Sequence, residues 1–170
     1  MISTTSSKLV LESIEDDESV LFAIHASVEP YRLAFLLNKN LHIKLERNKK
    51  DLDATCKGAV GYFPLFCYHD MSEDLSYYLI ANKCMRDNDA LHQIDLDPSS
   101  GNLFSSQETS TTTYLIPERK RTDYFLKIYA EATEYIDQTI AHKLNAIPAI
   151  ATAYLEQQDQ LKSKEYLIFD

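Results

Sequence analysis

Residues 20–47 read VLFAIHASVEPYRLAFLLNKNLHIKLER and predict a strand, a helix and a second strand in succession. The apolar run at residues 20–26 has the length of a buried strand. A helix is predicted over residues 28–39, with Ser27 as its N-cap, because this segment is apolar over a broad surface. The second strand is predicted over residues 41–47, where apolar and polar residues alternate. This order of elements indicates a helix packed on a sheet.

Further strands are predicted at residues 62–69, 76–84, 111–116, 124–129, 149–155 and 165–169, and a second helix is predicted at residues 133–146. A short polar segment typical of a hairpin separates the first two of these strands, and Pro64 places one of them at a sheet edge or at a bulge. Residues 123–155 form a second strand-helix-strand unit, like residues 19–47. We therefore expect an α+β fold, with a largely antiparallel sheet of about six strands and two helices packed on one face.

The chain is long enough for one domain with a buried core, which we expect over residues 9–170. Residues 1–8 are rich in Ser and Thr, and we expect them to be a flexible N-terminus. Residues 86–112 are dominated by Asp, Asn, Gln, Ser and Thr, and this composition predicts a polar loop or an insertion within the domain.

The charge and the cysteines limit the classes of protein to consider. The formal net charge is -9 at pH 7, and so acidic a chain is poorly suited to nucleic-acid backbones or anionic membrane surfaces. The three cysteines form no Cys-x-x-Cys pair, which is typical of reduced thiols in a cytoplasm. The sequence contains neither a signal-peptide pattern nor an apolar run long enough for a bilayer. We therefore expect a cytoplasmic protein that binds neither nucleic acid nor membrane.

One short motif in the chain is specific. It consists of Ile116, Pro117, Glu118, Asp123 and Tyr124. The motif resembles that of the bacterial IPExxxVDY family and departs from it at Thr122, where the family has Val. The likeness extends along most of the chain. The family has no assigned activity, so the resemblance implies a bacterial origin and a cytoplasmic location and supplies no catalytic residue.

A second likeness concerns residues 144–153, which read LNAIPAIATA. This segment is similar to the helix end and strand start of ACT-type regulatory modules, which implies the binding of a small ligand. Ala149 stands where such modules often have Gly, whose missing side chain lets a ligand approach the backbone closely.

The two carboxylates of the motif have two interpretations. Glu118 and Asp123 could act as an acid/base pair or bind a metal, since two neighbouring carboxylates can hold different pKa values. In the structural interpretation, Glu118 accepts backbone N–H bonds or pairs with a neighbouring arginine, and Asp123 caps the loop before a strand. We favour the structural interpretation, because catalysis also needs a substrate site that these residues alone do not reveal.

Two basic clusters stand out in this acidic chain. They consist of Lys44, Arg47, Lys49 and Lys50, and of Arg119, Lys120 and Arg121. If the clusters meet in space, they predict a site for a phosphate or an acidic partner. We favour the alternative interpretation, in which both clusters are solvated turns.

We expect no metal and no cofactor. The five histidines have no ligand spacing, and the calcium-like residues 95–101 are interrupted by Pro98. His25 lies beside a strand-to-helix turn from which a side chain can reach a cleft, and His69 with Asp70 has the residue types of a ligand pair. Cys67 and Cys84, the two thiols of the predicted hairpin, are expected to be packing residues. Only three glycines are present, and no Gly-rich phosphate loop occurs.

The leading hypothesis is a non-enzymatic interaction or assembly protein, which presents a sheet face or edge to itself or to a protein partner. The Tyr-rich strands and the missing catalytic motif favour it. The alternative is an ACT-like regulatory module that binds a small ligand. A third hypothesis is an enzyme that uses Glu118 and Asp123.

Overall fold

The computed structural model describes residues 19–56, 59–86, 111–130 and 136–169. Its helices are α1 (Pro30–Leu41) and α2 (Ile136–Asn145). Its strands are β1 (Ser19–His25), β2 (Glu46–Arg47), β3 (Leu52–Cys56), β4 (Ala59–Phe63), β5 (Leu65–Asp70), β6 (Leu75–Ala81), β7 (Lys83–Arg86), β8 (Thr111–Tyr114), β9 (Tyr124–Tyr129) and β10 (Thr152–Leu155). The predicted flexible N-terminus, and all but the two ends of the predicted polar loop at residues 86–112, lie outside the described residues.

Six strands form one sheet in the order β10-β1-β9-β6-β5-β2, and every neighbouring pair is antiparallel. Two further hairpins, β3–β4 and β7–β8, pack beside it. The predicted α+β class, with a largely antiparallel sheet of six strands and two helices, is confirmed. β1 lies inside the sheet and pairs with β9 and β10, which are more than ninety positions away.

A separate core covers each face of the sheet, because successive side chains of a strand point to opposite faces. On the helix side, Phe22 of β1 and Leu126 of β9 pack with residues of α1 and α2. On the other side, Leu21 and Phe125 of the same two strands pack with the β3–β4 hairpin and with residues 161–169, which we call the tail segment. The tail segment therefore completes the second core.

The start and the end of α1 differ from the prediction. The N-cap is Glu29 and not Ser27, because Pro30 occupies the first position of the helix. The helix continues to Leu41 and is followed by His42 in the left-handed conformation, with a φ of 59°. The predicted strand at residues 41–47 is wrong except for β2. Its alternating burial is real, but a turn leading off the helix produces it rather than strand pairing.

Other strand boundaries also changed. Pro64 separates β4 from β5, so the predicted strand at residues 62–69 is two strands, and β5 pairs on both sides instead of forming an edge. The hairpin of β5 and β6 is confirmed. The predicted strand at residues 165–169 is wrong, because a 3-10 turn (Lys164–Leu167) lies there, held by side chains from other elements rather than by a strand neighbour.

Two asparagines close the edges of the main sheet. Asn38 of α1 donates to the carbonyl of Leu45 over 3.0 Å and accepts the N–H of the same residue over 2.7 Å. Asn145 of α2 forms the same pair with Ala153, over 2.7 and 2.9 Å. Leu45 directly precedes β2 and Ala153 lies in β10, the two outermost strands. We call these two amide pairs the edge clamps.

Candidate functional site

The specific motif forms the connection between β8 and β9, residues 115–123, which we call the motif loop. Leu115 and Ile116 are fully buried in the second core, and Pro117 starts a single 3-10 turn (Pro117–Arg119). Proline is well placed there, because its fixed φ suits the first position of a helical turn and its missing N–H is not needed. Beyond this turn, Lys120 and Arg121 are exposed, whereas Thr122 is buried.

Asn82 is the internal support of the motif loop. Its side chain is fully buried, and its Nδ2 donates to the carbonyls of Arg119 and Thr122, both over 2.9 Å. Its Oδ1 accepts the N–H of Ile116 over 2.8 Å. One buried amide thus binds three backbone groups of the loop, of which the Arg119 carbonyl also accepts the N–H of Thr122. The signal for this role was present in the sequence, because an asparagine interrupts an apolar strand run.

Glu118 holds the tail segment. Its carboxylate accepts the N–H groups of Lys162 and Ser163 over 2.7 and 2.9 Å, and the hydroxyl of Ser163 over 3.2 Å. Partial burial acts to raise the pKa of Glu118, but these hydrogen bonds outweigh it and hold the pKa below its ordinary value. The carboxylate is thereby kept ionised in a structural contact.

Asp123 and Tyr124 attach the other end of the motif loop to the start of α1. One Asp123 oxygen accepts the N–H of Ala26 over 3.0 Å, and the other pairs with the ammonium of Lys83. The Tyr124 hydroxyl donates to the carbonyl of Val28, and burial raises its pKa to about 12, with further contributions from neighbouring carboxylates. The structure therefore engages the two motif carboxylates with different elements.

Arg119 forms a two-pronged ion pair with Glu156. Its Nε and its terminal nitrogen lie 2.7 and 2.9 Å from the two carboxylate oxygens, and Glu156 is only 7% exposed. The hydrogen bonds to Glu156 raise the pKa of Arg119 above its ordinary value. This geometry fixes the guanidinium, since two parallel hydrogen bonds set both its position and its plane. Lys120 and Arg121, which follow, are exposed.

The outer side of the motif loop forms one wall of a cavity of about 510 Å³, which we call the motif cleft. Its lining consists of His25, Pro117, Glu118, Arg119, Lys120, Arg121, Thr122 and Tyr154. The rings of His25 and Tyr154 stack with centroids 5.8 Å apart and planes 26° from parallel. The cleft therefore combines one of the predicted basic clusters with His25, which the sequence places near a cleft, and with Tyr154, which sequence reasoning missed.

The other predicted basic cluster lies at the opposite edge of the sheet. Arg47, Lys49 and Lys50 line a separate cavity of about 530 Å³, together with two aspartates and Tyr62. Arg47 is paired with one of these aspartates, Asp51, and Lys44 is exposed. Because β2 and β10 are the two outermost strands, the structure does not bring the two basic clusters together.

A third cavity, of about 560 Å³, lies beside the start of α1 and includes Lys83, Asp123 and Tyr124. Lys83 is paired with Asp123, and the Tyr124 hydroxyl is bound to the backbone. These three side chains therefore serve contacts within the protein. The motif cleft differs, because Lys120 and Arg121 are exposed on its wall.

The remaining candidates are dispersed. His69 Nδ1 lies 2.9 Å from the Ser76 hydroxyl, and Asp70 accepts hydrogen bonds from Ser72. Cys67 stands opposite Tyr78 in the sheet, so it does not face Cys84. Burial raises the pKa of the Cys67 thiol. Residues 95–101 lie outside the described part of the chain. Among the residues that the structure describes, no cluster of three or more His, Cys, Asp or Glu side chains could hold a metal ion.

In the same described ranges, no helix is long and apolar enough to cross a membrane. Comparison of the chain with protein-family models, with curated proteins and with solved structures found no match.

Proposed function

We propose that this protein is a non-enzymatic binding protein whose motif cleft takes a small ligand with an anionic group. The observation that carries the proposal is that two exposed cations, Lys120 and Arg121, lie beside the ion-paired Arg119 on one concave surface. The chain as a whole has a net charge of -9, so this surface is more positive than the average of the chain. A concave cationic surface concentrates anions, because its low-dielectric walls focus the field.

The roles of the motif carboxylates support binding rather than catalysis. Glu118 also lines the cleft, but its carboxylate accepts N–H groups of the tail segment, and Asp123 pairs with Lys83 elsewhere. Arg119 is fixed by Glu156, so Lys120 and Arg121 supply the charge that a ligand would meet. A positioned pair of acid and base, which an enzyme of the third hypothesis needs, has no support from this geometry.

This proposal develops the small-ligand alternative. The cavity volume of about 510 Å³ lies within the range of about 300–1,000 Å³ that is usual for small-molecule sites. The cleft is formed by the motif loop, β1 and β10, so the binding site is proposed at the edge of the sheet rather than on a helix.

Equilibrium dialysis with labelled inorganic phosphate tests the proposal. We expect saturable binding that weakens as salt is added and that is lost in the double variant K120A/R121A. The matched control is K49A/K50A, which removes two cations from the cavity at the opposite edge of the sheet and should leave binding unchanged. Equal loss in both double variants would show only general charge attraction and would refute the site.

A second candidate function is self-association through α1. Tyr31 and Phe35 stand one turn apart on this helix and are 68% and 65% exposed. Both sheet faces are covered by the cores, and each edge carries a clamp, so this aromatic pair is better placed for assembly than the sheet itself. We expect a second copy of the chain as its partner. Light scattering across a concentration series tests this: a dimer that the Y31A/F35A variant abolishes supports it, and a strict monomer refutes it.

A further inference from the structure

We infer that the ligand of the motif cleft carries a planar aromatic ring beside its anionic group, as a nucleoside monophosphate does. The inference rests on the proposed function of the same cleft and adds the chemical class of the ligand. The observation behind it is that Tyr154 shares the cleft with the three cations.

Tyr154 is both fixed and exposed. Its neighbour Ala153 is held by Asn145 and points into the helix-side core, so Tyr154 points to the opposite face of β10. There it stacks against His25 of the adjacent strand, and yet 41% of it remains exposed. An aromatic ring that is held on one side and open on the other is prepared for a second ring, since little rotational freedom is lost on binding.

Stacked rings and neighbouring cations together suit a nucleotide. A nucleobase stacks on aromatic side chains whatever its identity, and Arg119, Lys120 or Arg121 can bind its phosphate. A nucleic-acid chain is a poorer fit, because the two basic clusters line separate cavities at opposite edges of the sheet and the chain has an excess of acidic residues. We therefore assign the site to a mononucleotide.

The cavity at the opposite edge provides an internal comparison. It also contains lysines and an exposed aromatic ring, Tyr62, but it includes Asp51 and Asp53. Arg47 there is paired with Asp51, as Arg119 is with Glu156 in the motif cleft. The carboxylate of Asp53 would repel a phosphate, whereas that of Glu118 accepts N–H groups of the tail segment. Its residues are thus matched controls for those of the motif cleft.

Isothermal titration with AMP, ribose 5-phosphate, adenosine and inorganic phosphate tests the inference. We expect AMP to bind about tenfold more tightly than ribose 5-phosphate, because only AMP has a base to stack. Y154A should lower the affinity for AMP to that for ribose 5-phosphate and leave the latter unchanged. Y154F, which retains the ring, should bind AMP like the unmodified protein, and so should Y62A.

The possible results separate the two proposals. Equal affinities for AMP and ribose 5-phosphate, with loss of both in K120A/R121A, would overturn the aromatic ligand and leave the anionic cleft standing. Failure of AMP, ribose 5-phosphate and inorganic phosphate to bind would overturn both proposals. Binding of adenosine as tightly as AMP would contradict the anionic part. The circular dichroism and melting temperature of Y154A should match those of Y154F, which ensures that any loss of binding is local.

Discussion

The inner and outer sides of the motif loop differ in what their polar groups do. On the inner side, Asn82, Glu118 and Asp123 each bind backbone N–H groups of other segments. On the outer side, Lys120 and Arg121 reach the motif cleft. The motif residues Glu118 and Asp123 thus anchor the loop, while positions 119–121 between them carry the cations. In this loop the motif residues hold the backbone in place, and the proposed binding residues, Lys120 and Arg121, lie between them.

The largest loss of stability should come from replacing Asn82, which supports the motif loop from inside the domain. Asn82→Ala removes three hydrogen bonds to the motif loop and takes this partner away from the buried Ile116 N–H and the Thr122 carbonyl. We expect the free energy of unfolding to fall by about 3 kcal/mol or more. Urea denaturation measures it. The control is Asn40→Ala, because Asn40 makes one exposed hydrogen bond to its own helix and should change stability by no more than about 0.5 kcal/mol.

The second largest loss of stability should come from weakening the contact of Glu118 with the tail segment. Glu118→Gln keeps the shape but loses the charge, and we expect a loss of about 1–2 kcal/mol at pH 7. Because folding lowers the pKa of Glu118 from its ordinary 4.5, the stabilisation is fully present above pH 4.5 and is lost as the pH falls through the lower folded value. The advantage of the unmodified protein over E118Q should therefore shrink below pH 4.5. An advantage that is constant down to pH 3 would contradict this role.

Tyr124 should give a smaller effect with the opposite pH dependence. Its folded pKa of about 12 exceeds the ordinary value of 10.0. The stabilisation is therefore fully present below pH 10 and is lost as the pH rises through about 12. Tyr124→Phe should cost about 1 kcal/mol at pH 7 through the lost hydrogen bond to Val28. The difference in unfolding free energy between the two proteins should narrow above pH 10, and a difference that widens there would refute the assignment.

Substitutions on the outer side of the motif loop should change stability least. Lys120→Ala with Arg121→Ala removes two exposed cations, and we expect the free energy of unfolding to change by no more than about 0.5 kcal/mol. Binding of phosphate should nevertheless be lost. Thermal melts of the same preparation, with and without phosphate, check both statements together. A large loss of stability would mean that these cations belong to the scaffold, and the contrast between the two sides would fail.

Much of the fold could be predicted from the sequence where burial and local pattern agree. β9 was predicted over its full length, because residues 124–129 are rich in aromatic and aliphatic residues, and the strand is buried on both faces. The predicted strand at residues 41–47 failed, because an alternating pattern of burial also arises in a turn that returns along a helix. Pattern alone does not distinguish these two cases.

The candidate site was predictable only in part. The basic cluster at positions 119–121 could be predicted because it is contiguous in the chain. The position of His25 at a strand end predicted that its side chain lies near a cleft. Tyr154 enters the cleft because β10 pairs with β1, and the register of that pairing depends on contacts between residues more than a hundred positions apart. No local pattern carries this information. Asn82 interrupts an apolar strand run and so stands out in the sequence, but its partners lie 34 to 40 positions further along and could not be inferred from that run.

The tail segment has a consequence for the order in which the protein folds. Leu161 and Leu167 are buried in the second core, and the Leu167 carbonyl accepts a hydrogen bond from the buried ammonium of Lys127 over 2.9 Å. In a nascent chain that has formed β9 before residues 161–169 emerge from the ribosome, the Lys127 ammonium lacks its Leu167 partner and the second core is incomplete. The central pairing of β1 with β9 also closes a long loop, which is slow. Folding should therefore be completed only once residues 161–169 are present, with the second face of the sheet as the last part to be covered.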